Sequence, residues 1–263
     1  MATNRKLAKL ILLLSVLTLN VGYTVAQEQK SCALILMHGK WHNPRDFGFF
    51  GGKLEPNCAY KSIEMPWSQR RNYDEPYPVA LANIKAEVEA FRREGYKRVI
   101  LVGHSFGANA ALAYMAEVGD ADAVISLAAG HSPTYMYQQG IGSRAVDKAR
   151  SLVESGKGDE TLSMDDLNQG RRQSISMKAT VLLSYFDPTG LGNMPGTITR
   201  FKRSVPLLWI VGDKDPLYPF GSGYAFDKAP KNPASKYVVL QADHVSTPDA
   251  AVSEVLEWIK SLP

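Results

Sequence analysis

One serine in this 263-residue sequence stands where it could act as a nucleophile. Gly103-His104-Ser105-Phe106-Gly107-Ala108 follows an apolar run ending at Val102 and precedes an alanine-rich stretch. The pattern Gly-x-Ser-x-Gly therefore sits between an expected strand and an expected helix, the setting its chemistry needs. A strained turn there pushes the Ser105 hydroxyl outward, small flanking residues admit neighbouring backbone, and the helix N-terminus favours negative charge. A hydroxyl is a poor nucleophile without a base, so one of the five histidines, His38, His42, His104, His131 and His244, must take its proton. In this topology the order along the chain is nucleophile, acid, base. His244, in Gln241-Ala242-Asp243-His244-Val245, is the only histidine in the last half of the chain and follows the final apolar run.

The acid must accept a hydrogen bond from the other ring nitrogen of the histidine and hold its tautomer. Asp213 and Asp215 compete in Gly212-Asp213-Lys214-Asp215-Pro216. Asp215 is favoured, because Asp213 could brace the turn by bonding backbone N–H groups. Asp187, in Phe186-Asp187-Pro188, reads as a turn residue. Acyl transfer also develops an oxyanion that must meet prepositioned N–H donors. Phe106, next after the serine, should give one. The loop Met37-His38-Gly39-Lys40-Trp41 should give the other, from the Lys40 amide with Trp41 as second choice. His38 and His42 make a weak metal pair: their spacing would suit a helix, which Gly39 and Pro44 oppose, and no carboxylate completes a metalloprotease pattern.

These residues need a scaffold that brings several strand ends together. Strand-length apolar runs recur at 33–37, 60–65, 98–102, 123–127, 206–211 and 237–240, separated by helical patterns at 79–91, 106–118 and 250–259. Continuous apolar strands alternating with helices predict an open, doubly wound α/β domain with a parallel sheet covered on both faces. The rhythm breaks between 131 and 203, which predicts an insertion. Within it Ser143 to Gly156 reads as a helix, Ser163 with Asp166 as a second helix start, and Ala179 to Phe186 as a helix or a strand. Met65-Pro66-Trp67 and Tyr73 to Tyr77 follow the second strand and could line a pocket or pack beneath the insertion. Tyr135, Met136, Tyr137, Tyr185, Phe186 and Met194 could give that pocket adaptable apolar walls or simply bury the insertion.

The first residues carry Arg5, Lys6 and Lys9, then an apolar run from Leu10 to Leu19, then Thr24 and Ala26 before Gln27. This is the build of a secretory signal over 1–26, cleaved after Ala26, with a domain over 27–263; an uncleaved anchor is the alternative. The formal charge of +4 comes from 30 basic against 26 acidic side chains, and three of those basic groups leave with the signal. No basic stripe remains to bind nucleic acid, and 45% hydrophobic with 21% charged residues excludes disordered and fibrous classes. A periplasmic or secreted location makes a disulfide between the two cysteines reasonable. Cys32 and Cys58 each open an expected strand, and parallel neighbours would place both at one sheet edge, within bonding reach.

His-Gly after the first strand, Gly-His-Ser-Phe-Gly-Ala, Gly-Asp-Lys-Asp-Pro and a late histidine, in this order, resemble the α/β-hydrolase superfamily over nearly all of the mature chain. The resemblance implies an α/β-hydrolase fold, with a six-stranded sheet lacking the first two strands and a helical lid at the insertion. Asn168-Gln169-Gly170-Arg171 and Ser184 to Pro188 with Asn193-Met194-Pro195 look like signatures of a bacterial subgroup of these hydrolases, and the whole resembles its esterase- or lipase-like members. The expected activity is carboxylic ester hydrolysis on small-molecule substrates through an acyl-enzyme intermediate. Neither metal nor cofactor is expected, nor stable membrane insertion once the signal is cleaved. Thioester or peptide hydrolysis on the same residues, and a catalytically silent ligand-binding protein, are the alternatives; haloalkane or epoxide chemistry is disfavoured, since such members usually carry aspartate at the Ser105 position.

Overall fold

A computed structural model describes residues 31–55 and 57–263; the expected signal over 1–26 lies outside them. The elements run β1 (Cys32–Met37), α1 (Pro44–Leu54), β2 (Cys58–Ile63), α2 (Tyr77–Arg93), β3 (Arg98–His104), α3 (Phe106–Glu117) and β4 (Ala123–Leu127). The insertion then gives α4 (Pro133–Gln138), α5 (Ser143–Glu154), β5 (Thr161–Asn168), β6 (Arg171–Lys178), α6 (Ala179–Phe186) and α7 (Met194–Thr197). The chain closes with β7 (Leu207–Gly212), β8 (Lys236–Leu240), α8 (Thr247–Ala250) and α9 (Val252–Ser261). Six strands form one sheet in the order β2-β1-β3-β4-β7-β8, every pair parallel. This is the α/β-hydrolase fold.

Alternation along the strands divides the core between the two sheet faces. Ala33, Ile35 and Met37 of β1 face the side covered by α2, α3 and the insertion, whereas Leu34 and Leu36 face the side covered by α1 and α9. Both faces are buried, which is why the central strands read as unbroken apolar runs. Helix α3 is buried along nearly its whole length, so small residues are needed all round it rather than on one stripe. Helix α1 starts at Asn43, whose side chain accepts from the Asp46 amide at 3.1 Å, with Pro44 in the first turn.

The first two strands of the sheet in chain order are joined at their N-terminal ends. Cys32 and Cys58 are register partners on β1 and β2, 4.7 Å apart at Cα, and form a disulfide. The bridge lies at the sheet edge opposite the loops that follow β1, β3, β7 and β8.

The lid differs from the helical expectation in one part. Ser163 and Asp166 do not start a helix; they lie on β5 of an antiparallel hairpin with β6. Met164, Asp166, Ile175 and Met177 alternate inward with exposed neighbours, a period of two that overrides the Ser-x-x-Asp capping signal. Ser163 Oγ instead meets Ser176 Oγ across the strands at 2.8 Å. Gln169 and Gly170 form the two-residue turn with φ of 48° and 76°, the paired positive values that a tight hairpin turn requires. Residues 179–186 resolve as a helix, and the expected helix from Ser143 is α5.

Candidate active site

The chain order of the strands reverses across β1 and β3, and the loops leaving their C-terminal ends flank the crevice where open α/β sheets bind ligands. Ser105 follows β3 directly at φ 55°, ψ −117°, a conformation costly for any residue with a Cβ. Its flanks explain the glycines. A Cβ on Gly103 would lie 2.2 Å from Gly107 O, and one on Gly107 would lie 1.9 Å from Met37 O. The Ser105 amide donates to Leu127 O and the Gly130 amide donates to Ser105 O, both at 3.0 Å. The turn is thus locked to β4 as well as to β1.

His244 reaches the same edge from the loop after β8. Its Nδ1 donates to Asp215 Oδ2 at 2.6 Å, and both residues are buried. A carboxylate at Nδ1 fixes the tautomer, so the proton sits there and Nε2 carries the lone pair. That Nε2 is buried without a hydrogen-bond partner among the described residues. A point 2.7 Å from Ser105 Oγ is also 3.4 Å from His244 Cε1, where a Cβ on Gly130 would stand. Asp215 is held in turn by the Leu217 amide, 2.7 Å from its Oδ1. The competing carboxylates are elsewhere. Asp213 is exposed and accepts from the Ala242 amide at 3.1 Å, bracing the turn, while Asp187 accepts from the Thr189 amide inside the insertion.

The other histidines are structural partners. His104 Nε2 donates to His244 O at 2.9 Å, steadying the loop, and burial pushes its pKa down to about 3. His38 donates through Nδ1 to Gly39 O and accepts the Met65 amide at Nε2, with burial lowering it to about 4. Both ring nitrogens of His38 are engaged, which leaves no lone pair for a metal and removes the His38/His42 pair as a ligand set. His131 donates through Nε2 to Tyr185 O at 2.8 Å and stacks on Phe106 at 3.8 Å between centroids.

Gly39 packs against the serine, its Cβ position 3.0 Å from Ser105 Cβ, so the loop after β1 borders the reacting centre. The Trp41 amide donates to Trp67 O at 2.9 Å, which removes the second-choice oxyanion donor. The Lys40 and Phe106 amides have no such acceptor among the described residues. The Lys40 side chain, invisible to pattern reading, is buried and ion-paired to Asp166 at 2.6 Å. Asp166 also accepts from Tyr73 Oη at 3.0 Å. Losing one member of such a pair strands a buried charge, a loss typically of about 3–5 kcal/mol.

Beside these residues lies a cavity of about 660 Å³, with Gly130, His131 and His244 at its base and Tyr135, Gln169, Asn193, Leu217, Phe220 and Tyr224 among its walls. No lysine, arginine or glutamate lines it. Of the six insertion residues expected as apolar walls, Tyr135 lines the cavity, Met136, Tyr185, Phe186 and Met194 are buried in the core, and Tyr137 packs half-buried against that core with its hydroxyl on Asp147. Trp67, Tyr73 and Tyr77 likewise pack under the insertion, with Trp67 stacked on Phe106 at 4.2 Å. Sequence reading missed Gly130, which follows β4 in Ala128-Ala129-Gly130. The signal was present: small residues after the strand that neighbours β3.

The sequence profile described as the alpha/beta hydrolase family matches residues 34–255. The chain belongs to this family. Solved structures agree on the fold. A monoacylglycerol lipase of Paleococcus ferrophilus is 18% identical, with 87% of this chain and 94% of that one covered and a TM-score of 0.64. A thermostable carboxyl esterase of Bacillus coagulans, in complex with glycerol, is 16% identical over 89% and 90% of the two chains, TM-score 0.60. Est1E of Butyrivibrio proteoclasticus with ferulic acid bound is 18% identical over 88% and 89%, TM-score 0.57. No protein with a curated description matches the chain.

Proposed function

We propose that this chain is an exported serine hydrolase that cleaves carboxylic esters of small, uncharged substrates. The observation that carries the reading is His244, held by Asp215 at Nδ1 and left with a buried, unpartnered Nε2, with its ring and Ser105 Oγ both bordering the point where a Cβ on Gly130 would stand. In the proposed reaction Ser105 Oγ bonds to the ester carbonyl carbon as its proton passes to His244 Nε2. The carbonyl oxygen takes up the electron pair and is held by the Lys40 and Phe106 amides. Collapse expels the alcohol, which receives the proton from His244, and leaves Ser105 acylated. Water then repeats the sequence and releases the acid. A cavity lined by several amide and hydroxyl groups, with Asp215 as its carboxylate and no lysine or arginine, favours uncharged groups over anionic ones. The likeness to lipase and esterase structures supports the ester class. Export rests on the basic-then-apolar leader and on the Cys32–Cys58 bridge.

The test is intact mass after treatment with a fluorophosphonate, together with turnover of short-chain aryl esters. Wild type should gain one adduct, and Ser105→Ala and His244→Ala should gain none and lose turnover. An unlabelled, inactive wild type would overturn the reading and leave a ligand-binding protein on this fold. An unchanged Ser105→Ala would do the same for the assigned nucleophile.

A further inference from the structure

Lys40 is gripped from outside its own loop at both ends of the residue. Its Nζ donates to Asp166 Oδ1 at 2.6 Å and to Leu167 O at 3.1 Å, and its carbonyl accepts from Asn168 Nδ2 at 3.2 Å. All three partners are consecutive residues of β5, immediately before the Gln169–Gly170 turn. The hairpin itself is set by Met164, Ile175 and Met177 in the core, and Asp166 is anchored a second time by Tyr73 Oη at 3.0 Å and by the Leu167 amide at 2.8 Å. The grip therefore transmits a rigid reference. The backbone on either side is tied locally, with Gly39 O accepting from His38 Nδ1 at 2.8 Å and from the His42 amide at 3.3 Å and the Trp41 amide donating to Trp67 O at 2.9 Å; the hairpin adds the holds on the Lys40 side chain and carbonyl. Bonds to the Lys40 side chain and carbonyl fix where the rest of the residue, including its amide, stands.

We infer that the tip of the β5–β6 hairpin positions the oxyanion-binding loop, with Asp166 and Asn168 as positioning residues for hydrolysis; this rests on the Lys40 amide being one oxyanion donor. It also assigns a role to Asn168-Gln169-Gly170-Arg171. The turn brings Asn168 onto the Lys40 carbonyl and places Gln169 in the cavity wall, so the lid and the reacting centre are one mechanical unit. A donor misplaced by a fraction of an ångström weakens the transition state far more than the bound ester, because the short, strong bonds form only to the developing oxyanion.

Asn168→Asp tests this, because it keeps the shape and turns the donor into an acceptor facing the Lys40 carbonyl. Asn168→Ala removes the donor alone, and Ser176→Ala, on the exposed arm of the hairpin, is the control. The expected result is that Asn168→Ala lowers kcat about tenfold and Asn168→Asp lowers it further. KM and the unfolding midpoint stay near wild type, and fluorophosphonate labelling slows in parallel. Asn168→His, which can again donate, should recover part of the loss. Ser176→Ala should change none of these. Wild-type kcat in Asn168→Asp, with wild type labelled and active, would overturn the inference and leave the ester reading intact. A loss confined to KM or to the unfolding midpoint would also overturn it, since it would mark a structural or substrate-binding role. An inactive, unlabelled wild type would instead remove the reading on which it rests.

Discussion

Gly130→Ala is the sharpest probe of where the reacting atoms stand. The glycine has an ordinary backbone conformation, so alanine brings no backbone strain. Its Cβ would sit 2.7 Å from Ser105 Oγ, 3.3 Å from Ser105 Cα and 3.4 Å from His244 Cε1. Ordinary contacts begin near 3.4 Å, so the hydroxyl must retreat by about 0.7 Å or rotate away from the imidazole, because the backbone beneath it is tied to Leu127 and Gly130. Displacements near 1 Å cost about 100-fold in rate, equivalent to ~2.7 kcal/mol of transition-state stabilisation. The expected outcome is a folded protein whose unfolding midpoint shifts by only a few degrees, with kcat down about 100-fold, KM nearly unchanged and fluorophosphonate labelling slowed to match. Steady-state kinetics on an aryl ester and a thermal melt read all of this. A Gly130→Ala protein with wild-type kcat would refute the placement of Ser105 Oγ and His244 around that point.

Asp215→Asn should lower kcat by about 10⁴-fold by releasing the His244 tautomer, while Asp213→Ala, which loses only a bond from the Ala242 amide, should keep kcat within a few-fold; equal losses in kinetic assays would reverse the assignment. The Cys32–Cys58 bridge spans 26 residues of sequence, so its removal in the double Cys→Ala protein should cost roughly 3.5 kcal/mol in urea unfolding. Because the bridge lies at the far edge of the sheet, the folded variant should keep its kcat; a selective loss of kcat would contradict that separation. His38 and His104 are held to about 4 and about 3 by burial, against 6.5 for an exposed histidine. The unfolded chain therefore binds protons first, so stability is full above pH 6.5 and falls with acidification, by about 1.4 kcal/mol per pH unit for each histidine. Unfolding free energies that stay flat from pH 6.5 to 4.5 would exclude this coupling.

Much of the site was legible because its chemistry is tied to local pattern. Ser105 sits in a turn whose glycines are forced by approaches of about 2 Å to neighbouring backbone, and those same glycines mark the motif in the sequence. Parallel apolar runs placed the ends of β1, β3, β7 and β8 at one edge, and this brought Gly39, Ser105, Asp215 and His244 into one neighbourhood. The two aspartates differ in their contacts, Asp215 meeting His244 Nδ1 and Asp213 bracing the strand end through the Ala242 amide. The pairing of Cys32 with Cys58 needed only that β1 and β2 be parallel neighbours.

Other features depended on contacts between segments far apart in the chain. Local capping preference pointed to a helix at Ser163, but Met164 and Asp166 must face the core together with Ile175 and Met177, and a strand pairing satisfies all four. Nothing near Lys40 in sequence indicates that its ammonium would be buried against Asp166, 126 positions away. Likewise the aromatic residues of 65–77 and of the insertion were equally suited to a pocket or to a core. Packing against Phe106 put most of them in the core and left Tyr135 at the cavity. The sequence by itself determined the strand-end chemistry, because a strained turn and its glycines are properties of a few adjacent residues. The lid, its grip on Lys40 and the shape of the cavity were decided only in the tertiary structure, where burial forces distant charges and rings to find one another.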